Sequence, residues 1–165
     1  MIEAHLVASV HAYGALQPVF AWTIDHPDGR VLVDTGMIDS TPELDLAWGP
    51  VPYPDAIPRD VVAVINTHLD FDHCGGNRLF PGVPIHVQAR ELADVRTGRK
   101  DTVAEWVDFA GAAYVEHDGD ADVLDGIRLL LAPGHTDGHQ VVVVDTPERP
   151  NVLGGDVAYS FRELG

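Results

Sequence analysis

Five consecutive apolar residues, Val61 to Ile65, are the stretch that most restricts how this chain can fold. A continuous run rich in β-branched residues favours a strand that is buried on both faces, as in a parallel sheet covered by other layers. The run ends at Asn66 and Thr67, and a segment rich in His and Asp follows at once. Polar side chains just beyond a buried strand are where α/β proteins tend to build functional sites. The sequence therefore predicts a layered fold with a site at one end of this strand.

Short β-rich segments lie on both sides of this run, and helical patterns are few. Further strands are predicted at residues 5–12, 19–25, 31–33, 83–87, 114–116, 122–124, 127–131, 140–145 and 151–153, and helices at 89–95 and 102–109. Residues 37–60 contain five prolines and predict a long loop with one short helix. This order predicts a mixed α/β (α+β) fold in which two sheets pack together with helices outside. Without a repeat or a linker, residues 1–165 are expected to form a single domain.

The charge balance narrows the range of partners. The chain has 26 acidic and 10 basic residues, for a formal net charge of −16. Such a surface repels phosphate backbones and anionic lipid headgroups, so we expect no nucleic-acid partner. No apolar run approaches the roughly 18 residues of a membrane span, and the N-terminal residues have no signal-peptide pattern. Because Cys74 is the single cysteine, no internal disulfide is possible, and we expect a cytoplasmic protein that does not enter a membrane.

Four side chains of metal-binding type lie within six positions: His68, Asp70, Asp72 and His73. Neutral imidazole and ionised carboxylate are good ligands for zinc, iron and manganese. In an extended backbone, the alternate spacing from 68 to 72 keeps three of these side chains on one side. A turn after Asp72 brings His73 towards a second metal. A solvated polar loop is the alternative, but four such residues directly after a buried strand favour a metal site.

Three more candidates, His135, Asp156 and Asp34, also follow predicted strands. A lone His or Asp is more often a helix cap or a surface residue, and the shared position at strand ends is what distinguishes these three. A carboxylate at Asp34 can accept a hydrogen bond from a ligand imidazole and orient its ring. Asp34 is an equally good turn residue before Gly36, and the sequence leaves both roles open.

The order and spacing of four motifs resemble those of the metallo-β-lactamase superfamily. The motifs are LVDTG at residues 32–36, THLDFDH at 67–73 followed by GGN at 75–77, PGHTDGH at 133–139 and GD at 155–156. The resemblance implies an αββα sandwich with metals at one sheet edge, incomplete at the C-terminus in this chain. It assigns His68, Asp70 and His135 to a first metal and Asp72 and His73 to a second, with Asp156 bridging both.

The resemblance extends to one branch of the superfamily. Tyr159 lies three residues after Asp156, and this spacing is similar to that of N-acyl-homoserine-lactone lactonases, in which a tyrosine contacts the substrate carbonyl. The FDHCGGN segment at 71–77 also resembles that branch. The resemblance implies a quorum-quenching lactonase that acts on a small lactone or ester, in which a metal-bridging hydroxide attacks the carbonyl and Tyr159 stabilises the oxyanion. Asp72 or a metal-bound water would protonate the leaving alkoxide. Tyr159 is equally well interpreted as a packed core aromatic.

Asp70 departs from the family, which usually has histidine at this place. A carboxylate adds a negative charge to the first site and shifts its preference towards harder ions such as manganese or iron. The oxygen-reducing diiron branch of the superfamily has a glutamate there, which makes redox chemistry at iron an alternative. Two zinc ions remain the first expectation, because of the lactonase resemblance.

A second departure concerns the second metal. Family members generally continue past the bridging aspartate to a last histidine, but no histidine follows His139 in this chain. We expect that the chain is a fragment, that the second site is incomplete, or that a partner chain supplies the ligand. A homodimer would cover the apolar surface left by missing strands. Two further functions stay open: a glyoxalase II-like thioesterase, which needs a cationic pocket, and an inactive or assembly-dependent metal-binding fragment.

Overall fold

A seven-stranded mixed sheet forms the larger layer of the protein. The computed structural model describes residues 1–98 and 101–158. Within them, the strands of this sheet are β1 (Ile2–Ala12), β2 (Ala15–Ile24), β3 (Val31–Val33), β4 (Val51–Pro52), β5 (Ala63–Ile65), β6 (Pro84–Gln88) and β7 (Ala113–His117). Their order across the sheet is β4-β1-β2-β3-β5-β6-β7. Neighbouring strands are antiparallel from β4 to β3 and parallel from β3 to β7.

A second, smaller sheet packs against one face of the first. Its strands β8 (Ala121–Leu124), β9 (Ile127–Leu131), β10 (Gln140–Val144) and β11 (Asn151–Leu153) are antiparallel, in the order β11-β10-β9-β8. The two sheets bury a shared core that includes Val33, Ile65 and Leu129. Because side chains alternate along a strand, Leu32 and Val64 point to the opposite face, where they join another apolar cluster. Strands β3 and β5 are therefore buried on both faces, as the apolar run predicted.

In the described part of the chain, four short α-helices cover the outer face of the larger sheet. They are α1 (Pro42–Trp48), α2 (Phe71–Cys74), α3 (Ala89–Arg96) and α4 (Ala104–Val107), with 3₁₀ turns at Pro54–Ala56 and Asn77–Leu79. Leu44, Phe71 and Trp106 place α1, α2 and α4 on the cluster around Leu32. Leu92 of α3 packs in a third cluster that extends the same layer. In residues 1–98 and 101–158, no helix is both long and apolar enough to cross a membrane.

The predicted two-sheet architecture is confirmed. A layer of helices, the larger sheet and the smaller sheet follow one another in the predicted order. Two elements were not predicted: β4 lies in the predicted loop, and the helix α2 begins at Phe71, where the prediction was an extended backbone from residue 68 to 72. The other differences lie at element ends. β1 and β2 are joined by a tight turn at Tyr13 and Gly14, with φ of 52° and 75°, so β2 begins earlier than the predicted residue 19. Pro18 fits inside β2 because only residues 22–24 of this strand pair with β3. The strand predicted from residue 61 is limited to Ala63–Ile65, and the helix predicted at 102–109 to Ala104–Val107.

The inter-sheet core predicts a contrast between two leucines of β9. Leu129 is fully buried between the sheets, whereas Leu131 is 41% exposed. Leu129→Ala leaves a cavity and should lower the free energy of unfolding by about 2–5 kcal/mol. Leu131→Ala removes the same atoms from a half-open position and should cost less than about 1 kcal/mol. Urea denaturation of the two variants measures both values, and equal losses would contradict the assigned packing.

Candidate metal centre

The carboxyl ends of four strands, two from each sheet, lie at one edge of the sandwich. β3 and β5 are parallel neighbours, so their C-terminal ends lie side by side. β9 and β11 are both antiparallel to β10 and therefore run in one direction. Gln140 at the start of β10 donates its N–H to the Thr67 carbonyl at 2.8 Å and joins the two edges. The segments that leave the four strands carry Asp34, residues 68–73, His135 and Asp156.

His68, Asp70 and His135 form a first group of donor atoms. Oδ2 of Asp70 lies 2.9 Å from Nε2 of His135 and 3.5 Å from Nε2 of His68. One ligand atom from each of the three residues lies within 4.8 Å of the other two. His68 and Asp70 are buried, whereas His135 lies at the open side of the site. The loop after β5 and the loop after β9 thus contribute to one cluster.

His73 and Asp156 extend the cluster on its other side. Nε2 of His73 lies 3.3 Å from Oδ1 of Asp156 and 3.9 Å from Oδ2 of Asp72. His68, His73 and Asp156 form a second group whose ligand atoms lie within 4.8 Å of one another. The other oxygen of Asp156 lies 3.8 Å from Nε2 of His135. Asp156 therefore belongs to the second group and also approaches His135 of the first.

Asp34 orients the two buried imidazoles. Its Oδ2 accepts hydrogen bonds from Nδ1 of His73 at 2.9 Å and from the Thr67 hydroxyl at 2.8 Å. Its Oδ1 accepts from the Thr67 backbone N–H at 2.8 Å. Because the Thr67 hydroxyl gives its proton to Asp34, its oxygen accepts from Nδ1 of His68 at 3.0 Å. Both rings then carry a proton on Nδ1, and the Nε2 lone pair of each faces the cluster. Of the two roles left open by the sequence, the structure supports orientation of a ligand imidazole.

Two backbone conformations allow this close arrangement. Asp34 itself has φ 59°, in the left-handed region that Asp tolerates better than most residues. Gly155 has φ 53°, and a Cβ there would lie 2.5 Å from Oγ1 of Thr67. A larger residue at 155 would push the segment that carries Asp156 away from Thr67. Position 155 therefore requires glycine for steric reasons.

The donor set fits metal ions. His68 is fully buried, and its Nε2 is one of two buried side-chain nitrogen or oxygen atoms without a hydrogen-bond partner in the part of the chain that the structure describes. A buried polar atom without a partner lowers the stability of the fold, so the Nε2 atom of His68 needs a partner other than a protein hydrogen bond. The Nε2 lone pair of His68 is surrounded by the other donors of both groups. A metal ion bound by imidazole nitrogens and carboxylate oxygens would satisfy it.

The electrostatics of the cluster favour positive charge. Burial lowers the pKa of His73, but the carboxylates of Asp72 and Asp34 outweigh it and raise that pKa well above its ordinary value. The hydrogen bond to Asp70 raises the pKa of His135. Burial raises the pKa of Asp72, against the opposing effect of His73. A field that holds protons on imidazoles also attracts metal cations, which replace those protons when they bind.

A cavity of about 480 Å³ opens directly onto the cluster. One wall is formed by the donor residues, including Asp72, His73 and Asp156. The lining also has an apolar part, which includes Val10, Val19, Phe20, Trp22, Trp48 and Val152. None of the described residues that line the cavity is Lys or Arg. This volume and this mixture of surfaces suit a small ligand with one polar and one apolar end.

All six residues predicted to bind metal lie in this cluster. Asp72 lies at its margin, since its carboxylate approaches His73 but belongs to neither compact group. Tyr159, predicted to contact the substrate, lies outside the described residues.

Three residues that hydrogen-bond to residues of the site were not predicted: Thr67, His139 and Glu91. Thr67 and His139 lie inside the quoted motifs, so their positions carried a signal. Nε2 of His139 accepts from the Asp156 N–H at 3.2 Å, and burial lowers its pKa to about 4, which keeps it neutral. Glu91 lies in α3, and its helical pattern gave no indication of a role.

The family model described as Metallo-beta-lactamase superfamily matches residues 14–164 of this chain. The chain belongs to the metallo-β-lactamase superfamily. Its fold and its donor residues at the strand ends agree with that membership. The resemblance on which the sequence motifs were interpreted is therefore confirmed.

Several members of the superfamily are similar to this chain. An N-acyl homoserine lactonase of Bacillus cereus is 31% identical over 156 residues, which cover 82% of this chain and 62% of the relative. A probable metallo-hydrolase of Mycobacterium bovis is 35% identical over 119 residues, covering 61% of this chain and 38% of the relative. This chain thus spans about three-fifths of the length of the lactonases that it matches.

Solved structures give the same family. An N-acyl homoserine lactone hydrolase, with the product N-hexanoyl-L-homoserine bound at its catalytic metal center, superposes with a TM-score of 0.80 at 26% identity. The match covers 98% of this chain and 76% of that one. A variant of B. thuringiensis AiiA with N-decanoyl-L-homoserine at its active site has a TM-score of 0.81, with the same identity and coverage.

The role of Asp34 predicts a loss of metal affinity on Asp34→Asn. The amide oxygen can still accept from Thr67 N–H, but the amide nitrogen cannot accept from His73, so the ring loses its fixed tautomer. Metal affinity should fall about 10–100-fold, as for other partners of ligand histidines. Isothermal titration with Co²⁺ or Zn²⁺ measures it. Asp39→Asn, at an exposed position paired with Arg78, is the matched control. Unchanged affinity in Asp34→Asn would show that Asp34 does not orient the ligand.

Proposed function

We propose that this protein is a metal-dependent hydrolase that opens small lactones, with N-acyl homoserine lactones as the substrate class. One observation carries the proposal. Nε2 of His68 and Nε2 of His73 both face an acidic cluster, with their other ring nitrogens held through Asp34, at the mouth of a partly apolar cavity. The named activity of the lactonase relatives supports the choice of substrate.

Two zinc ions are the proposed cofactor. The compact first group supports the assignment of His68, Asp70 and His135 to one ion. The contacts of His73 support the assignment of Asp72 and His73 to the other, and the intermediate position of Asp156 supports a bridging role. When bound, the ions would polarise the substrate carbonyl and lower the pKa of water at the site.

The residues of the cavity divide the remaining work. The apolar wall with Phe20 and Trp22 would bind an acyl chain and exclude water from the reacting carbonyl. Addition of water to the carbonyl carbon and cleavage of the ring C–O bond leave an alkoxide that needs a proton. Asp72 lines the cavity beside His73, which supports a role in returning that proton. The contact of Tyr159 with the carbonyl stays a prediction.

The described lining of the cavity favours a lactone over the thioesterase alternative. A glutathione-like group is anionic and needs cationic partners, whereas the described lining residues include no Lys or Arg. An uncharged acyl chain suits the aromatic wall better. The cytoplasmic location, the homodimer and the absence of nucleic-acid partners stay predictions.

Lactone opening can be followed by proton release, because the product acid ionises at neutral pH. Zinc-loaded protein should open N-hexanoyl- and N-decanoyl-homoserine lactone, and S-acyl glutathione should react far more slowly. Loss of a residue that only hydrogen-bonds to a metal ligand typically lowers metal affinity or activity about 10–100-fold. Loss of the proposed ligand itself in His73→Ala should therefore lower kcat/KM by at least about 100-fold. Leu46→Ala, at a position that is 90% exposed, should leave the rate unchanged.

Metal analysis of the same sample separates the competing functions. Two zinc ions per chain without lactone turnover would contradict the proposed substrate. One ion per chain without turnover would favour the metal-binding fragment. Iron with oxygen consumption would favour redox chemistry.

A further inference from the structure

Glu91 is a carboxylate in the interior of the protein, on the third residue of α3. The whole residue is inaccessible to solvent. A buried carboxylate is unfavourable unless its oxygens accept hydrogen bonds. Its helix is fixed from below by Leu92 and Val95, which are buried in the cluster that includes Val87 of β6. Glu91 is thus a polar group on a rigid support.

Its two oxygens contact the two loops that carry the first donor group. Oε1 accepts from the Leu69 backbone N–H at 2.8 Å. Oε2 accepts from the Thr136 hydroxyl at 2.7 Å. Leu69 lies between His68 and Asp70, and Thr136 follows His135. One side chain therefore connects a loop of the larger sheet with a loop of the smaller sheet.

A backbone contact supports the same connection. A Cβ at Gly138 would overlap the backbone nitrogen of Glu91, so the His135 loop rests directly on the first turn of α3. Arg90 adds an ion pair with Asp137 at 2.8 Å. The side chains of Arg90 and Asp137 are both largely exposed, so this ion pair by itself adds little to stability. The close backbone contact and the buried Glu91 are the stronger parts of the connection.

We propose that Glu91 is a positioning residue that sets the distance between the two loops and thereby lets Asp70 and His135 reach one metal ion. Its hydrogen bonds hold Leu69, beside Asp70, and Thr136, beside His135. Oδ2 of Asp70 lies 2.9 Å from Nε2 of His135. This inference rests on the proposed metal binding, but not on the proposed substrate.

Substitutions at this position should change metal affinity in a graded way. Glu91→Ala frees both loops and should weaken Co²⁺ binding about 10–100-fold, with a changed visible absorption spectrum of the bound cobalt. Glu91→Gln should restore most of the affinity. Its amide oxygen can accept from Leu69 N–H, and its amide nitrogen can donate to the Thr136 oxygen. A role limited to negative charge would not be rescued in this way.

Two further variants separate positioning from general stability. Ile127→Ala removes a buried side chain from the start of β9, the end of that strand away from the His135 loop, and should lower the melting temperature while Co²⁺ affinity stays within about threefold. Thr136→Val keeps Glu91 and the core intact but removes one hydrogen bond, and should weaken Co²⁺ binding by about tenfold. This variant decides the question if Glu91→Ala does not fold.

The experiment is a Co²⁺ titration of the metal-free full chain, with absorption spectra and thermal melting on each variant. Wild-type affinity and spectrum in Glu91→Ala, or in Thr136→Val if that variant alone folds, would overturn the role of Glu91. An equal loss of affinity in Ile127→Ala would also overturn it. Failure of the wild-type protein to bind Co²⁺ would overturn the metal centre and the role of Glu91 together. Metal binding without lactone opening would overturn only the proposed substrate.

Discussion

The hydrogen bonds of the Asp34 carboxylate determine what the site can do. Asp34 accepts from His73 directly and controls His68 through the Thr67 hydroxyl, so both Nε2 lone pairs face the carboxylates of Asp70 and Asp156. A lone pair beside a carboxylate is repulsive unless a proton or a metal ion lies between them. The raised pKa of His73 reflects this, since nearby carboxylates outweigh the effect of its burial. The fold thus favours a cation at this position, among side chains of metal-binding type.

Much of this could be predicted from the sequence, because strand ends and ligand spacing are local features. The buried run before His68 indicated a covered sheet, and residues after other strands indicated the remaining donors. Glu91 could not be predicted, since its role depends on how α3 packs across two loops distant in sequence. The double role of Asp34 needed the three-dimensional contact with Thr67 and His73. The Tyr13–Gly14 turn was not predicted, and β2 begins at Ala15 rather than at residue 19.

Asp70 connects the two sheets within the site. Its carboxylate lies beside His135 from the smaller sheet and His68 from the larger one. The same oxygen, Oδ2, makes both contacts. The added negative charge also strengthens the attraction for hard divalent ions. The departure from the family pattern at residue 70 therefore concerns metal preference more than the architecture of the site.

Anomalous diffraction from crystals of the zinc-loaded protein, recorded on both sides of the zinc edge, tests the metal centre most directly. We predict two zinc peaks in the cluster. One should lie about 2.0–2.2 Å from Nε2 of His68 and from the Asp70 carboxylate, and the other at a similar distance from Nε2 of His73. With both zinc ions bound, Asp34 should keep its hydrogen bonds to Nδ1 of His73 and to Thr67. Absence of zinc from the cluster, or zinc bound through Nδ1 with Asp34 as a direct ligand, would contradict it.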